Sequence, residues 1–256
     1  MNLNYKTFGE GFPLIILHGL LGSLDNWQSL AKKFSSHFKV YIIDQRNHGK
    51  SPHSADFNYT LLAQDLLDFF KEHNIANAHI IGHSMGGKTA MKFALTHPEK
   101  VSKLIVVDIA PSGYADGHTH IFKALLDANV AHAQTREQVE LFLRDNLKED
   151  ESTIQFLMKG LTRPVTSASD FEWKFNIESL IANYKFISGA VESDKPFEGP
   201  TLFIKGEKSN YINASNYQSI NSLFPANELS EVKGAGHWVH AEKPDEFAVE
   251  VMKFLS

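Results

Sequence analysis

The chain has no cysteine among its 256 residues. That absence excludes a disulfide framework, a cysteine nucleophile and thiolate metal sites, and it fits a cytoplasmic protein. No apolar run approaches the roughly 20 residues that a membrane helix needs, so no membrane partner is expected. The opening residues, MNLNYKTFGEG, lack an apolar stretch behind a basic start and do not read as a signal peptide. Positive charge is not in excess either. The formal net charge is -5, which offers no general attraction for nucleic acid or an anionic surface. Repeats and low-complexity tracts are missing. What is present, 43% hydrophobic and 21% charged residues, is globular composition in a chain long enough to bury a substantial core.

Short apolar runs punctuate the chain, each ending at a turn residue. Leu14 to Leu17 ends at His18-Gly19, Val40 to Ile43 at Asp44, and His79 to Ile81 at Gly82. Leu104 to Val107 ends at Asp108, and Leu202 to Ile204 at Gly206 after Lys205. Continuous runs of this kind suit strands covered on both faces. Between them lie helical patterns. After a candidate N-cap at Thr60, the residues Leu62, Leu66, Phe69, Phe70 and His73 share one face. A second helix is expected from Ser84 to His97, ending before Pro98, and a last one from Pro244 nearly to the end. The alternation predicts an α/β fold with a mostly parallel, doubly wound sheet. From about Gly113 to Asp194 the strands stop, and helical patterns follow over Ile121 to Val130, Arg136 to Asn146, Ile154 to Leu161 and Ile177 to Ile187. This reads as a helical cap spanning 113–194, inserted into a core made of 1–112 and 195–256.

Gly82-His83-Ser84-Met85-Gly86 is a G-x-S-x-G sequence placed after a strand and before a helix. That is the setting of the nucleophile turn in an α/β-hydrolase fold, where glycines flank a bend too sharp for side chains. Ser84 is the candidate nucleophile. The Met85 amide, at the helix N-terminus, is a candidate donor to an oxyanion. A second donor is expected from His18-Gly19-Leu20-Leu21-Gly22, with the Leu20 amide preferred and Leu21 the outside choice.

Among 13 histidines, His237 stands apart, since Gly234-Ala235-Gly236-His237-Trp238 sets it in a small-residue loop before the final helix. In this fold the base comes last in chain order, so His237 is the candidate base and His240 a structural residue. His118-Thr119-His120 lacks a carboxylate pattern and reads as a solvated turn, so no metal site is expected. The acid usually sits three residues after a glycine such as Gly206, where this chain carries Ser209. Two carboxylates remain: Asp108, ending the strand beside the nucleophile's, and the runner-up Glu207, in the usual loop but two residues early.

These segments, together with Asp44-Gln45-Arg46-Asn47-His48-Gly49-Lys50-Ser51, Asp108-Ile109-Ala110-Pro111, Glu172-Trp173-Lys174-Phe175-Asn176 and Val239-His240-Ala241-Glu242-Lys243-Pro244, resemble the YbfF-type bacterial esterases. The likeness runs in order along nearly the whole chain. It implies a helical cap, hydrolysis of esters and of acyl-CoA thioesters, and a catalytic Asp displaced to the strand after the nucleophile's helix, which maps onto Asp108.

Trp173, Phe175 and Trp238 are candidates to line an acyl pocket, with core packing the alternative for each. Arg46 and His48 read as loop anchors. Lys88 is either a holder of a negatively charged carrier group or, as the plainer reading, a solvated helix lysine. The expected function is cofactor-independent hydrolysis of a small-molecule ester or acyl-CoA through an acyl-enzyme. Two other functions fit the same residues: a lyase of this architecture, like the menaquinone-pathway enzyme that eliminates pyruvate, and a binding protein that keeps the triad without turnover.

Overall fold

The β-branched runs become strands because their side chains can be buried above and below the sheet at once. A computed structural model describes residues 1–148, 151–164 and 171–256. The first half of the core carries β1 (Tyr5–Phe8), β2 (Pro13–Leu17), β3 (Lys39–Ile43), β4 (Ala78–His83) and β5 (Val101–Val107). Helices α1 (Gln28–Phe34), α2 (Tyr59–Glu72) and α3 (Met85–Thr96) connect them. The segment after β5 holds α4 (Thr119–Asp127), α5 (Arg136–Asn146), α6 (Glu151–Lys159), α7 (Ile177–Ala182) and α8 (Tyr184–Ser188), with the short β6 (Leu161–Thr162) and β7 (Glu172–Trp173). The core resumes with β8 (Thr201–Gly206), α9 (Tyr217–Leu223), β9 (Asn227–Val232), α10 (Val239–Glu242) and α11 (Pro244–Leu255).

The sheet order is β1-β3-β2-β4-β5-β8-β9, parallel throughout except for β1, which runs against β3. Alternation within each strand divides the core. Ile15 and Leu17 of β2 face α2 and α3, packing with Leu66, Met91 and Phe93. Leu14 and Ile16 face the other way, toward Phe34 of α1 and Phe247 of α11. Apolar residues of the insertion, among them Leu125, Leu143, Leu157 and Leu180, join the first of these clusters, so the insertion shares a core with the sheet. Each such side chain, fully buried, contributes about 2 kcal/mol before entropy is counted.

Several expected boundaries move. Helix α2 is capped by Asn58, whose side chain accepts from the Leu61 amide, and Thr60 lies inside the first turn. Ser84 is not helical, and α3 begins one residue later. The helix expected over Ile177 to Ile187 breaks at Asn183 into α7 and α8. The insertion also contains an antiparallel pair, Leu161 with Trp173 and Thr162 with Glu172, too short to leave a period in the sequence. Among the described residues, no helix is long and apolar enough to cross a membrane.

Candidate active site

Register brings the site together at the C-terminal edge of the sheet. Gly82 pairs with Leu17 on one side and Val106 on the other, and His83 pairs with Val107. Ser84 and Asp108 are therefore the next residues on adjacent strands, with His18-Gly19 alongside. Ser84 has φ 53° and ψ -118°, a conformation that side chains resist. Gly82 and Gly86 make it possible. A Cβ on Gly82 would sit 2.2 Å from the Gly86 carbonyl oxygen, and one on Gly86 would sit 2.5 Å from the carbonyl oxygens of both Leu17 and His18. The turn is anchored by the Ser84 amide, which donates to the Val107 carbonyl at 3.0 Å.

His237 Nε2 lies 3.1 Å from Ser84 Oγ, and His237 Nδ1 lies 2.7 Å from Asp108 Oδ2. A carboxylate only accepts, so Nδ1 carries the proton and Nε2 is left to accept from the serine hydroxyl. Asp108 is completely buried. Its Oδ1 accepts from the Gly206 amide at 3.0 Å, and its Oδ2 also accepts from Ser209 Oγ at 2.5 Å. The serine at the usual acid position thus touches the carboxylate that meets the imidazole. Glu207 turns away: its carboxylate accepts from the Gly234 amide at 2.8 Å and pairs with Lys233 at 3.1 Å.

The loop carrying His237 is braced on several sides. Glu242 accepts from the Gly236 amide at 2.8 Å and the Trp238 amide at 3.2 Å, gripping both neighbours of the histidine. His83 Nε2 donates to the His237 carbonyl at 2.9 Å, and Tyr211 stacks on the imidazole at 4.1 Å. His240 is buried against Trp27, its ring stacked at 4.1 Å.

The Leu20 and Met85 residues both line the cavity beside Ser84. The Leu21 amide is committed elsewhere, donating to His48 Nε2 at 3.2 Å. That bond places the single ring proton of His48 on Nδ1, which donates to the Arg46 carbonyl at 2.9 Å. His18 repeats the pattern, accepting from the Gln45 amide at 3.0 Å and donating to the Gly19 carbonyl at 2.8 Å. Burial pushes His18 down to about 4 and His48 to about 3, the latter helped by the neighbouring His18. Arg46 forms a buried two-point pair with Asp65 at 2.5 and 2.8 Å. Arg46 and His48 are accordingly anchors of the loop around the site.

The cavity has a volume of about 800 Å³, and Ser84, His237 and Trp238 are in its wall. Trp173 and Phe175 are not. They stack on each other at 5.5 Å, with the Trp173 indole donating to the Leu125 carbonyl and the Phe175 backbone bridged to His48. Their apolar area is used to seat the insertion on the core. Lys88 also departs from its plainer reading. It is 1% exposed, and its ammonium meets the carbonyls of Ser112, Ser188 and Gly189. Helix α3 lies under the insertion, so a position that looks like a surface turn in sequence is roofed over. His118 is likewise engaged, with Nδ1 2.7 Å from the Tyr184 hydroxyl, and His120 lies in α4.

Among these, Glu242, His83 and Tyr211 escaped the sequence reading as parts of the site, whereas Lys88, which reads as a carrier-group holder or a solvated lysine, instead lies buried on backbone carbonyls. The carboxylate five residues after His237 was the available signal, through its spacing from the histidine.

The fold and this constellation define a class. The model of the family described as alpha/beta hydrolase fold matches residues 13–244, and the chain belongs to that family. Esterase YbfF of Escherichia coli strain K12 is 38% identical over 95% of this chain and 93% of its own length. The sn-1-specific diacylglycerol lipase ABHD11 of Danio rerio is 39% identical over all of this chain and 83% of its own. A solved structure described as a marine microorganism esterase is 42% identical, covers 98% of both chains and superposes with a TM-score of 0.95.

Proposed function

We propose that this protein is a serine hydrolase of carboxylic esters that works through an acyl-enzyme. The observation that carries the reading is the unbroken line Asp108–His237–Ser84 at the wall of an 800 Å³ cavity, with bonds of 2.7 and 3.1 Å. Ser84 Oγ attacks the acyl carbonyl while His237 Nε2 takes its proton. The carbonyl oxygen, now negative, is held by the Leu20 and Met85 amides, each such donor being worth about 3 kcal/mol to the transition state. Collapse expels the alcohol, which leaves with the proton from His237. Water, deprotonated by the same imidazole, then attacks the acyl-serine, and the acid departs as Ser84 regains its proton. Asp108 holds the tautomer throughout and stabilises the imidazolium.

No step requires a cofactor. Esters are the substrate class suggested by relatives named as an esterase and a lipase. Acyl-CoA thioesters are the finer proposal. The chemistry at the carbonyl is the same, and Trp238 with the apolar wall residues Leu20, Ile121 and Leu157 offers a surface for an alkyl chain. A fluorophosphonate probe should label Ser84 and leave Ser84→Ala untouched. Labelling of Ser84→Ala at another residue would end the assignment. A graded series of p-nitrophenyl esters and acyl-CoAs separates esterase from thioesterase. An elimination reaction without an acyl-enzyme burst would point instead to a lyase.

A further inference from the structure

Lys88 stands four residues after Ser84, one turn along α3, where the mechanism has no use for it. Its ammonium is buried, and burial alone pushes it down to about 7. No described carboxylate neutralises it. Its partners are carbonyl oxygens: Gly189 at 2.5 Å, Ser112 at 2.8 Å and Ser188 at 3.4 Å. These acceptors work against the cost of burial, and the ring of Tyr114 adds a π face 4.8 Å from Nζ.

The positions of those carbonyls matter more than their number. Ser112 lies where the chain leaves the core for the insertion, and Ser188 and Gly189 lie where it comes back. The two crossings are also tied to each other, by the Tyr114 amide on the Ser188 carbonyl at 2.9 Å and the Val191 amide on the Pro111 carbonyl at 2.7 Å. Lys88 joins this pair to the helix that begins at the nucleophile. Tyr59 does the same from α2, its hydroxyl donating to the Ile187 carbonyl at 2.6 Å. A contact path also leads onward from the clamp. The Tyr114 hydroxyl donates to the Tyr211 carbonyl at 2.6 Å, and Tyr211 stacks on His237. Lys88, Tyr59, Tyr114 and Ile187 all stand in the cavity wall. Packing alone would be served there by leucine or methionine, without the penalty of burying a charge.

We propose that Lys88 is a positioning residue that governs acyl-group selectivity by clamping both crossings of the insertion to the nucleophile's helix. The wall that faces the acyl group then has one shape, set by the clamp, while the hydrogen bonds among Ser84, His237 and Asp108 do not pass through it. This rests on the hydrolase reading above for its kinetic consequence but not for its structural one.

The test is Lys88→Met, which keeps the stem and removes every donor, with Lys88→Gln, whose amide keeps two, as the second variant if the first does not fold. Two measurements are made on each. In native-state hydrogen exchange, the Tyr114 and Val191 amides should exchange about tenfold or more faster, the scale of a buried acceptor losing its donor, while the β5 amides stay protected. In kinetics, the ratio of kcat/KM between p-nitrophenyl acetate and p-nitrophenyl decanoate should shift by about tenfold, mostly through KM. Uniform acceleration across β5 and the crossings, or no acceleration, overturns the clamp; so does an unchanged selectivity ratio. Should the unaltered protein hydrolyse no ester, the Ser84 reading falls, and the exchange experiment alone decides the clamp.

Discussion

Replacing Asp108 by asparagine sets the carboxylate's two sides against each other. Oδ1 accepts from the Gly206 amide, and Oδ2 accepts from both His237 Nδ1 and Ser209 Oγ. An amide at this position has one oxygen and one NH₂. With the oxygen toward His237, the NH₂ meets the Gly206 N–H in a fully buried site, a mismatch costing about 1–3 kcal/mol of stability. With the NH₂ toward His237, the imidazole must move its proton to Nε2, and it can no longer accept from Ser84. Loss of the correct tautomer lowers kcat about 10⁴-fold in serine triads, equivalent to about 5.5 kcal/mol of barrier. We therefore expect Asp108→Asn to fold with reduced stability and to lose about three to four orders of magnitude in kcat. Glu207→Gln should change kcat by less than about threefold, since its partners are an exposed amide and an exposed lysine. Ser209 supplies the sharper arm. Its Oγ is 2.5 Å from Asp108 Oδ2, so Ser209→Asp in the Asp108→Asn background puts a carboxylate within reach of His237 Nδ1. Steady-state hydrolysis of p-nitrophenyl butyrate should recover about tenfold or more. A large loss in Glu207→Gln with a small one in Asp108→Asn would refute the reasoning and move the acid to the other loop.

Other consequences follow from the same geometry. Gly86→Ala places a Cβ 2.5 Å from two backbone oxygens; the elbow must distort, and kcat should fall by about 10² or more while far-UV circular dichroism is retained. Unchanged turnover would mean that the turn is looser than drawn. Trp238→Ala should raise KM for long acyl esters with little change in thermal stability. Phe175→Ala should instead cost about 3–5 kcal/mol in denaturation without selective loss of long substrates, because its ring is in the core and not in the cavity wall. His18 and His48 make stability sensitive to acid. Each accepts from a backbone amide and so must be neutral when folded. Their folded values, about 4 and about 3, lie below the ordinary 6.5. The unfolded chain thus takes up protons first as the pH falls. Stability is intact above about pH 6.5, and at pH 5 each histidine costs about 2 kcal/mol. A urea midpoint that stays constant from pH 7 to pH 5 would contradict this.

What the sequence discloses depends on how local the cause is. The five strands it marks are those buried on both faces over most of their length, which leaves an apolar run in each. Edge strands β1 and β9 are mostly exposed, so their residues Tyr5 to Phe8 and Asn227 to Val232 carry no such run. The elbow is legible because its steric requirement falls on neighbours in sequence, Gly82 and Gly86. Gly82 answers the turn's own backbone at Gly86, while Gly86 answers the carbonyls of Leu17 and His18 at the end of the neighbouring strand. The proposed acid is a different case. Asp108 is drawn into consideration only because Ser209 stands where a carboxylate is usual, and the structure explains how both positions can matter by putting their oxygens 2.5 Å apart.

Lys88 and the aromatic pair show where sequence reasoning stops. Trp173 and Phe175 have the right character for an acyl pocket, but character does not tell a cavity wall from the seam between an insertion and its core. Only the placement of α4 and the loop of His48 against them decides that. Lys88 looks like one more cation on a helix because its acceptors are carbonyls, which any residue can supply, contributed by Ser112 and by Ser188 and Gly189 far along the chain. A charged side chain recognised by backbone leaves no partner residue in the sequence to pair it with. Buried cations of this kind therefore have to be sought in structures, at the places where a chain leaves a core and returns to it.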